Sequence, residues 1–330
     1  MSTFKAVYAT QQDGEFDASI QDLDRASLPP GEVLIRVHYS DLNYKDGLAV
    51  TGRPGVIRKF PMVLGIDLAG VVEESSSPAW KPGDQVVVTG HGLSETVWGG
   101  YSQLARFDAG YLVRLPQGLT LKQSMAIGTA GFTAMQCILA LERHGVTPAS
   151  GDVLVTGAAG GVGSIAVAVL AKLGYRVAAS TGRPELGDYL RSLGATTIVD
   201  RATLAAPSKR PMESERWAGA VDTVGGDTLA AIIRALVPTG SVAACGLAGG
   251  SALNTTVFPF ILRGVSLLGV NSVYCSQADR LLIWERLTQD LSLSLLDSMT
   301  QEFPLADVFD LGEKIIAGAI RGRTIIRIPE

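Results

Sequence analysis

From residue 153 the chain reads Val153-Leu154-Val155-Thr156-Gly157-Ala158-Ala159-Gly160-Gly161-Val162-Gly163. Its apolar start predicts a buried strand, and its last six residues fit Ala-x-Gly-x-x-Gly, a variant of the dinucleotide-binding fingerprint with alanine at the first glycine position. Apolar helical periodicity then continues to Leu173. Strand, turn and helix therefore follow one another in the order that a nucleotide-binding βαβ unit requires, which favours such a unit over an unrelated glycine-rich turn.

Glycine is needed in such a loop because the backbone must come within hydrogen-bonding distance of a pyrophosphate. The free N–H groups at the start of the following helix then stabilise the negative charge. Gly160 and Gly163 allow this approach and the close packing of the helix on the strand. The residues that we predict to bind the dinucleotide here are Ala159, Gly160, Gly161, Val162 and Gly163.

The next predicted strand, from Arg176 to Ala179, indicates which dinucleotide binds. It ends in Ser180-Thr181-Gly182-Arg183, about twenty residues beyond the glycines, where an NAD site places an acidic residue for the ribose hydroxyls. This tetrapeptide contains no Asp or Glu. Hydroxyl groups and an arginine suit a 2′-phosphate, so the sequence favours NADPH over NADH, the alternative being that Arg183 is a solvated arginine beside a turn.

Strands and helices alternate from residue 153 to residue 269, which predicts an α/β fold with a doubly wound parallel sheet. Before residue 120 the chain shows short β-type runs separated by turns such as Lys81-Pro82-Gly83-Asp84, a pattern typical of a mainly β lobe. The run from Thr324 to Ile328 reads as a strand that returns to this first lobe. We place the Rossmann domain at residues 125–294 and the mainly β domain at residues 1–124 and 295–330.

Composition excludes several classes of protein. A chain of 330 residues with 47% hydrophobic residues, 18% charged residues and 38 glycines describes a compact α/β protein, and its length favours two lobes. A net charge of −4 provides no general attraction for nucleic acid. The most apolar stretch, Ile165 to Leu173, is too short to span a bilayer. Three widely spaced cysteines and an N-terminus unlike a signal peptide lead us to expect a cytoplasmic protein with reduced thiols.

Several motifs resemble the medium-chain dehydrogenase/reductase superfamily over essentially the whole chain. They are the 153–163 loop, Gly83-Asp84-Gln85-Val86, Gly99-Gly100-Tyr101-Ser102, Thr129-Ala130-Gly131-Phe132-Thr133-Ala134, Val221-Asp222-Thr223-Val224-Gly225-Gly226 and Gly322-Arg323-Thr324-Ile325-Ile326. Other segments resemble its zinc-free quinone oxidoreductase-like branch, which includes acrylyl-CoA reductases; they are Leu42-Asn43-Tyr44-Lys45-Asp46, Pro61 to Asp67, Ser180 to Arg183 and Ala244 to Gly250. The resemblance implies a Rossmann domain joined to a GroES-like catalytic domain.

The zinc alcohol dehydrogenases of this superfamily hold their metal with cysteines and with a histidine that follows a glycine. The chain has Asn43-Tyr44 and Gly65-Ile66-Asp67 at the corresponding places and lacks the four-cysteine lobe, so the thiolate and imidazole ligands of a tetrahedral zinc site are missing. The three histidines, His38, His91 and His144, have no metal-binding spacing and read as surface or packed residues. We expect chemistry without a metal.

Hydride transfer to an isolated carbonyl is difficult without a Lewis acid, whereas a conjugated alkene accepts hydride at its β carbon and spreads the charge into an enolate. The expected substrate is therefore an activated double bond, and its enolate needs a nearby donor. The resemblance places Tyr44 beside the nicotinamide, where its hydroxyl could donate to the cofactor or to the substrate, with Asn43 and Asp67 shaping the pocket. The alternative is that Tyr44 packs and that Asn43 and Asp67 hold turns together.

The same resemblance assigns further contacts. Leu247 and Ile261 would line the nicotinamide unless they pack in the core, Ser272 would bond the carboxamide, and Arg201 would contribute to the cofactor site. Arg58, Lys59 and Arg323 are candidates for the phosphates of a coenzyme A ester, although a solvated basic face is the favoured interpretation of Arg58 and Lys59, and Arg323 could meet the cofactor instead.

The resemblance thus implies an NADPH-dependent reductase of a short enoyl-CoA such as acrylyl-CoA. Reduction of quinones or other enones by the same site is the nearest alternative, and a non-catalytic NADPH-binding sensor is an alternative of another class. The predicted strand from Ser266 to Val270 would be an apolar sheet edge unless paired, so we expect a homodimer.

Overall fold

The computed structural model describes residues 3–330. Its strands, in chain order, are β1 (Thr3–Gln12), β2 (Glu15–Asp24), β3 (Val33–Asp41), β4 (Met62–Val63), β5 (Asp67–Ser75), β6 (Gln85–Thr89), β7 (Leu104–Phe107), β8 (Val113–Arg114), β9 (Asp152–Val155), β10 (Arg176–Thr181), β11 (Thr197–Asp200), β12 (Trp217–Asp222), β13 (Leu236–Ala244), β14 (Ser266–Gly269), β15 (Thr300–Pro304) and β16 (Arg323–Arg327). Its α-helices are α1 (Tyr44–Val50), α2 (Leu121–Arg143), α3 (Gly161–Lys172), α4 (Gly187–Ser192), α5 (Arg201–Leu204), α6 (Gly226–Ala235), α7 (Phe258–Arg263), α8 (Gln277–Asp290), α9 (Leu293–Ser298) and α10 (Val308–Ile316).

The chain divides into two compact units. Unit 1 comprises the residues up to Thr129 together with Val273–Thr288 and Leu296–Glu330, and unit 2 comprises Ala130–Ser272 and Gln289–Leu295. The predicted Rossmann domain, residues 125–294, therefore includes two segments that the structure groups with unit 1, residues 125–129 and most of α8. In unit 1 the buried guanidinium of Arg280 on α8 donates to the Thr89 carbonyl oxygen at 2.9 Å.

Unit 1 is mainly β. A seven-stranded sheet runs in the order β15-β16-β3-β5-β6-β8, with β7 also paired to β3, and a smaller sheet has the order β2-β1-β4. The last strand of the chain, β16, pairs antiparallel with β3 near its start, which confirms the predicted return to the first lobe. The core of this unit includes Val33, Leu68, Val88 and Ile326, all buried.

A tight hairpin joins β1 to β2. Its turn is Asp13-Gly14, and both residues have positive φ, 51° and 87°. Gln12 pairs with Glu15 across the turn, as in a two-residue hairpin whose backbone twist matches that of the strands. This hairpin was not predicted from the sequence, although Asp-Gly between two β-type runs is its usual signal.

Unit 2 is a parallel six-stranded sheet in the order β11-β10-β9-β12-β13-β14. In order of appearance this is 3-2-1-4-5-6, the arrangement of a Rossmann fold, so the predicted α/β fold class is confirmed. The strand order reverses between β9 and β12, and ligands of such sheets bind outside the carboxyl ends of the strands at that point. Leu154, Ala220 and Val242 from adjacent strands are completely buried in its core.

Helix α2 is the one helix of residues 3–330 that is long and apolar enough to cross a membrane by length and composition. Of the most apolar 18-residue stretch of this helix, 83% is buried inside the protein, as expected of a core helix. The helix is also broken, because Gly128 has a φ of 50° and a ψ of −160°.

Candidate functional site

The glycine-rich loop leaves β9 at the carboxyl edge of the unit 2 sheet. Gly157 turns the chain with a φ of 56°, and Gly160 caps α3, which begins at Gly161. A β carbon on Gly163 would collide with the Gly157 carbonyl oxygen, so only glycine lets α3 approach the turn this closely. The loop thus exposes backbone rather than side chains in front of the first N–H groups of a twelve-residue helix, which suits a pyrophosphate.

A buried aspartate joins this loop to the neighbouring turn after β12. Asp222 accepts a hydrogen bond from Thr156 Oγ1 at 2.6 Å and one from the Gly225 N–H at 2.8 Å. The Thr223 hydroxyl donates back to the Thr156 carbonyl oxygen at 3.0 Å. Burial raises the pKa of Asp222, and these donors lower it in part. The bonds fix the two turns that lie on either side of the topological switch point.

The carboxyl ends of β10 and β11 carry two arginines close to one glycine. A β carbon on Gly182 would lie 2.5 Å from the guanidinium carbon of Arg201, so this arginine packs directly on the tetrapeptide that follows β10. Asp200 accepts from the Ala202 N–H at 3.1 Å and so caps the short helix that begins with Arg201. Arg201 is exposed and Arg183 is half-buried. The residues present therefore fit a 2′-phosphate beside Gly182.

The two hydroxyl residues of the tetrapeptide are buried. Ser180 is 2% exposed and Thr181 is 6% exposed, and the Thr181 hydroxyl oxygen accepts a hydrogen bond from the Arg183 N–H at 3.0 Å. That bond shapes the turn and orients Arg183. The arginines and the backbone, rather than these hydroxyls, are accordingly the groups that face solvent.

Leu247 and Ile261 lie on the surface of the protein. Their exposed fractions are 64% and 68%, which rules out ordinary core packing, the alternative considered for both. Leu247 follows the turn at Gly246, where a β carbon would collide with the Thr223 carbonyl oxygen. Ser272 is half-buried. Exposed apolar side chains such as these are what an apolar ring of the cofactor would cover.

Unit 1 contains a buried cluster of charged and polar groups where α2 is broken. Asp41, Asp67 and Arg323 are almost completely buried, and Arg323 forms an ion pair with Asp41. Arg323 Nε donates to the Ala126 carbonyl oxygen at 2.6 Å, and Asp67 accepts the Thr129 N–H at 2.6 Å. The arginine thus caps the carbonyl end of one half of α2, and the aspartate caps the N-terminus of the other half.

The break itself requires glycine. The Asp41 carboxylate occupies the space that a β carbon on Gly128 would fill. Burial, followed by repulsion from the Asp67 carboxylate, raises the pKa of Asp41, whereas Arg323 lowers it. Asn43 bridges the two carboxylates by donating to Asp41 at 2.9 Å and to Asp67 at 3.1 Å.

Asp46 adds a third buried carboxylate beside the cluster. It forms the capping box of α1 by accepting the Asn43 N–H at 2.8 Å, and it also accepts the Ile66 N–H at 2.8 Å. Burial and the Asp67 charge nevertheless raise its pKa to about 7. The segment from residue 41 to residue 46 is therefore fixed by buried carboxylates whose pKa values are raised, that of Asp46 to about 7.

These contacts change the interpretation of several predicted residues. Arg323 was predicted to bind phosphates, and this is wrong, because its guanidinium is buried and bonded to Asp41, Asn43 and the α2 carbonyls. Asn43 and Asp67 use their polar atoms on each other and on Thr129, which supports the structural alternative over direct contact with a substrate. A direct chemical role for these two residues stays a prediction without support from their geometry.

Tyr44 differs from its neighbours because it is 40% exposed at the first position of α1. Its backbone is held on either side by the capping box, so its hydroxyl is available while its position is fixed.

Arg58 and Lys59 are exposed, and Arg58 Nε lies 3.7 Å from a Glu95 carboxylate oxygen. The same Glu95, 7% exposed, accepts from Lys45 at 2.6 Å. Lys45 and Glu95 were not predicted as site residues, and they lie 50 residues apart in the chain.

The histidines lie apart from metal-binding groups. Among residues 3–330 no three His, Cys, Asp or Glu side chains come together in a geometry suited to a metal ion. His91 stacks on Tyr111 with ring centroids 4.3 Å apart, and burial together with the Arg280 charge lowers its pKa to about 4. His144 Nδ1 lies 2.9 Å from the Ala140 carbonyl oxygen.

Comparison with known proteins agrees with this architecture. Residues 29–117 match the family model described as alcohol dehydrogenase GroES-like domain, and residues 161–286 match the one described as zinc-binding dehydrogenase. The chain belongs to the medium-chain dehydrogenase/reductase superfamily, in its quinone oxidoreductase-like branch, as predicted.

Individual relatives cover nearly the whole chain. Acrylyl-CoA reductase AcuI of Ruegeria pomeroyi is 53% identical over 96% of this chain and 96% of its own length. The yhdH oxidoreductase of Salmonella enterica, solved in complex with NADP, is 49% identical with a TM-score of 0.96 and covers 98% of this chain and 100% of its own. The yhfP protein of Bacillus subtilis, solved with NAD bound, is 42% identical with a TM-score of 0.95 over 99% and 100% of the two chains. It is named a putative quinone oxidoreductase.

Proposed function

We propose that this protein reduces the carbon–carbon double bond of acrylyl-CoA with NADPH and forms propionyl-CoA. The observation that carries the proposal is the 53% identity over nearly the full length to a protein named acrylyl-CoA reductase. A second relative of Escherichia coli, named a probable acrylyl-CoA reductase, is 48% identical over 98% of this chain. The site in unit 2 supports the cofactor, since its residues fit both a pyrophosphate and a 2′-phosphate.

Each part of the unit 2 site has a distinct binding role. The backbone from Ala159 to Gly163 and the start of α3 hold the pyrophosphate. Arg183 and Arg201 bind the 2′-phosphate beside Gly182, where a carboxylate would repel it. The exposed Leu247 and Ile261 cover the nicotinamide ring and keep water from it, and Ser272 bonds its carboxamide. When bound, NADPH supplies the hydride that adds to the β carbon of the substrate.

The chain's own polar groups then stabilise the negative charge that develops on the substrate, and a proton is delivered to the α carbon. Negative charge develops on the thioester oxygen as an enolate, and the Tyr44 hydroxyl donates a hydrogen bond to that oxygen. Asn43, Asp67 and Asp46 act through the backbone by fixing the start of α1, so they are positioning residues. Water delivers the proton to the α carbon.

The test is NADPH consumption by the purified protein with acrylyl-CoA, crotonyl-CoA and a simple quinone. We expect oxidation with the thioesters and the highest kcat/KM for acrylyl-CoA. Activity with quinones alone would overturn the acyl-CoA assignment and support the second candidate, quinone reduction, which the name of the Bacillus subtilis relative favours. No oxidation with any acceptor would instead support a sensor that binds NADPH without turnover.

The homodimer is part of the proposal and rests on the edge of the unit 2 sheet. Strand β14 ends the sheet order, pairs in parallel with β13, and leaves Leu267 36% exposed. An open apolar edge is stabilised when a second copy pairs with it. Light scattering at micromolar concentration should give twice the mass of 34.6 kDa, and Leu267→Lys should shift the protein toward monomer. A wild-type protein that is monomeric throughout would refute this part.

We also propose that the protein works in the cytoplasm. The support is that Cys137, Cys245 and Cys275 form no disulfide with one another. Cell fractionation should recover the NADPH-dependent activity with cytoplasmic markers, and recovery in an extracellular or periplasmic fraction would contradict the assignment.

A further inference from the structure

A groove of about 270 Å³ opens on unit 1, and Lys59 is the one predicted site residue in its described lining. Its lining combines prolines, aromatic rings and basic side chains; the members that matter for its chemistry are Pro29, Pro61, Trp98, Lys59, Arg106 and Tyr111. Prolines lose little conformational freedom when a ligand binds, because their φ is already fixed. The groove is thus a stiff surface with both flat apolar and cationic parts.

The aromatic part presents an indole. Trp98 is half-buried, and its Nε1 donates to the Pro61 carbonyl oxygen at 3.3 Å, which fixes the ring plane. Tyr8 meets it at an interplanar angle of 80° with centroids 5.8 Å apart, so this neighbour is not stacked in parallel on the indole. Tyr111 lies nearby and is itself stacked on His91. A fixed indole of this kind suits stacking by a purine base.

The cationic part carries charge that the protein does not neutralise. Lys59 is exposed and Arg106 is half-buried, and within residues 3–330 neither side chain makes an ion pair. Asp108 is the one carboxylate in the described lining. Lys59 also adjoins Arg58, which together with Lys45 pairs with the single carboxylate of Glu95. Basic side chains therefore continue from the groove to Lys45, the residue after Tyr44.

We propose that this groove binds the adenosine 3′,5′-bisphosphate end of the acyl-CoA substrate, with the purine on Trp98 and the phosphates at Lys59 and Arg106. The proposal rests on the proposed function, because it names how the same substrate is held at its other end. Flat apolar surface and unneutralised cations together match a nucleotide phosphate, whereas a quinone would use neither cation. The row of basic side chains leads from this end to Tyr44, where the thioester reacts.

The first experiment compares acrylyl-CoA with acrylyl-pantetheine, which carries the same thioester without the nucleotide. In Lys59→Gln/Arg106→Gln we expect KM for acrylyl-CoA to rise about tenfold, because two charged contacts with phosphates are lost. The rise is limited to this size because water screens the exposed Lys59 and partly screens the half-buried Arg106. The kcat and the kinetics with acrylyl-pantetheine should stay as in the wild type. The matched control is Lys209→Gln/Arg210→Gln, which removes the same charge from an exposed segment of unit 2 and should leave KM unchanged. Equal increases in KM for both thioesters would overturn the proposal.

The second experiment does not depend on turnover. Calorimetric titration of 3′,5′-ADP in the presence of saturating NADPH should show binding by the wild type and at least tenfold weaker binding by the double variant and by Trp98→Leu, with Trp98→Phe close to wild type. Binding that NADPH abolishes and that the double variant retains would place 3′,5′-ADP in unit 2 and overturn the proposal. If the wild type binds 3′,5′-ADP and the double variant does not, but the wild type has no activity with acyl-CoA, the groove is supported and the proposed function is rejected.

Discussion

Removal of the two arginines beside Gly182 gives a direct test of how the protein selects its cofactor. We consider Arg183→Gln/Arg201→Gln, which keeps hydrogen-bonding amides and removes both charges. Arg201 is held against Gly182, and Arg183 follows the Thr181 turn. Both therefore lie at the end of the second strand, where this fold binds the 2′ position of the adenosine ribose. The substitution should weaken NADPH and leave NADH nearly unchanged.

The magnitude follows from the exposure of the two side chains. A hydrogen bond to a charged group contributes about 1.5–3 kcal/mol when well protected. Arg201 is exposed and Arg183 is half-buried, so water screens both, and about 1–1.5 kcal/mol for each is the appropriate range. The double variant should therefore lose about 2–3 kcal/mol of NADPH binding, which corresponds to a roughly 30- to 150-fold higher Kd.

The assay is titration of NADPH and of NADH, followed by the fluorescence of the nicotinamide. Arg176→Gln is the matched control, because Arg176 lies at the opposite end of β10 and pairs with Asp152 at 2.7 Å. It should change neither Kd by more than about twofold, as expected for a surface ion pair. Equal losses for NADPH and NADH in the double variant would refute the assignment of these arginines to the 2′-phosphate.

Three further predictions concern unit 1. Tyr44→Phe should lower kcat about ten- to a hundredfold with the Kd of NADPH unchanged, because one donor to the enolate is lost from a partly exposed site; an unchanged kcat would reduce Tyr44 to packing. Arg323→Met should lower the free energy of unfolding, measured in urea, by about 3–5 kcal/mol, whereas Arg327→Met, on the exposed end of the same strand, should change it by at most about 1 kcal/mol; equal effects would contradict the role of the buried ion pair. Asp46 has a pKa raised from 3.8 to about 7 in the folded protein, so it holds its proton more tightly when folded, and its contribution to stability is lost as the pH rises from 4 through 7. The free energy of unfolding of the wild type relative to Asp46→Asn should fall over that range by a few kcal/mol, which is the order of the free energy that this pKa shift represents. A constant or rising difference would contradict the assignment of the raised pKa to Asp46.

The Rossmann unit was largely predictable because its signals are local. Apolar strands, the glycine turn and helical periodicity lie within a few residues of one another, and the strands predicted at 153, 176 and 218 begin within one residue of β9, β10 and β12. The exposure of Leu247 could not be predicted in this way, because the local sequence around an apolar residue after a strand is the same whether the residue packs in the core or lies exposed at a ligand site.

The buried cluster of unit 1 shows where local signals end. Arg323 stands between a glycine and a threonine at the start of a strand, which is typical of a surface residue, yet its partner Asp41 is 282 residues away. Neither residue's own neighbours in the sequence reveal the ion pair. The same limit applies to α8, whose helical pattern was visible but whose packing in unit 1 includes a buried arginine bonded to the distant Thr89.

The antiparallel pairing of β16 with β3 has a consequence for synthesis of the protein. The ribosome releases β3, α1 and the aspartates of the cluster long before it releases Arg323. Until then Asp41 has no arginine partner, and the backbone edge of β3 that pairs with Ile325 to Arg327 stays open to water. Most of unit 2 is continuous in the chain and emerges complete before that point. The half of the protein that is translated first is therefore the half that finishes folding last.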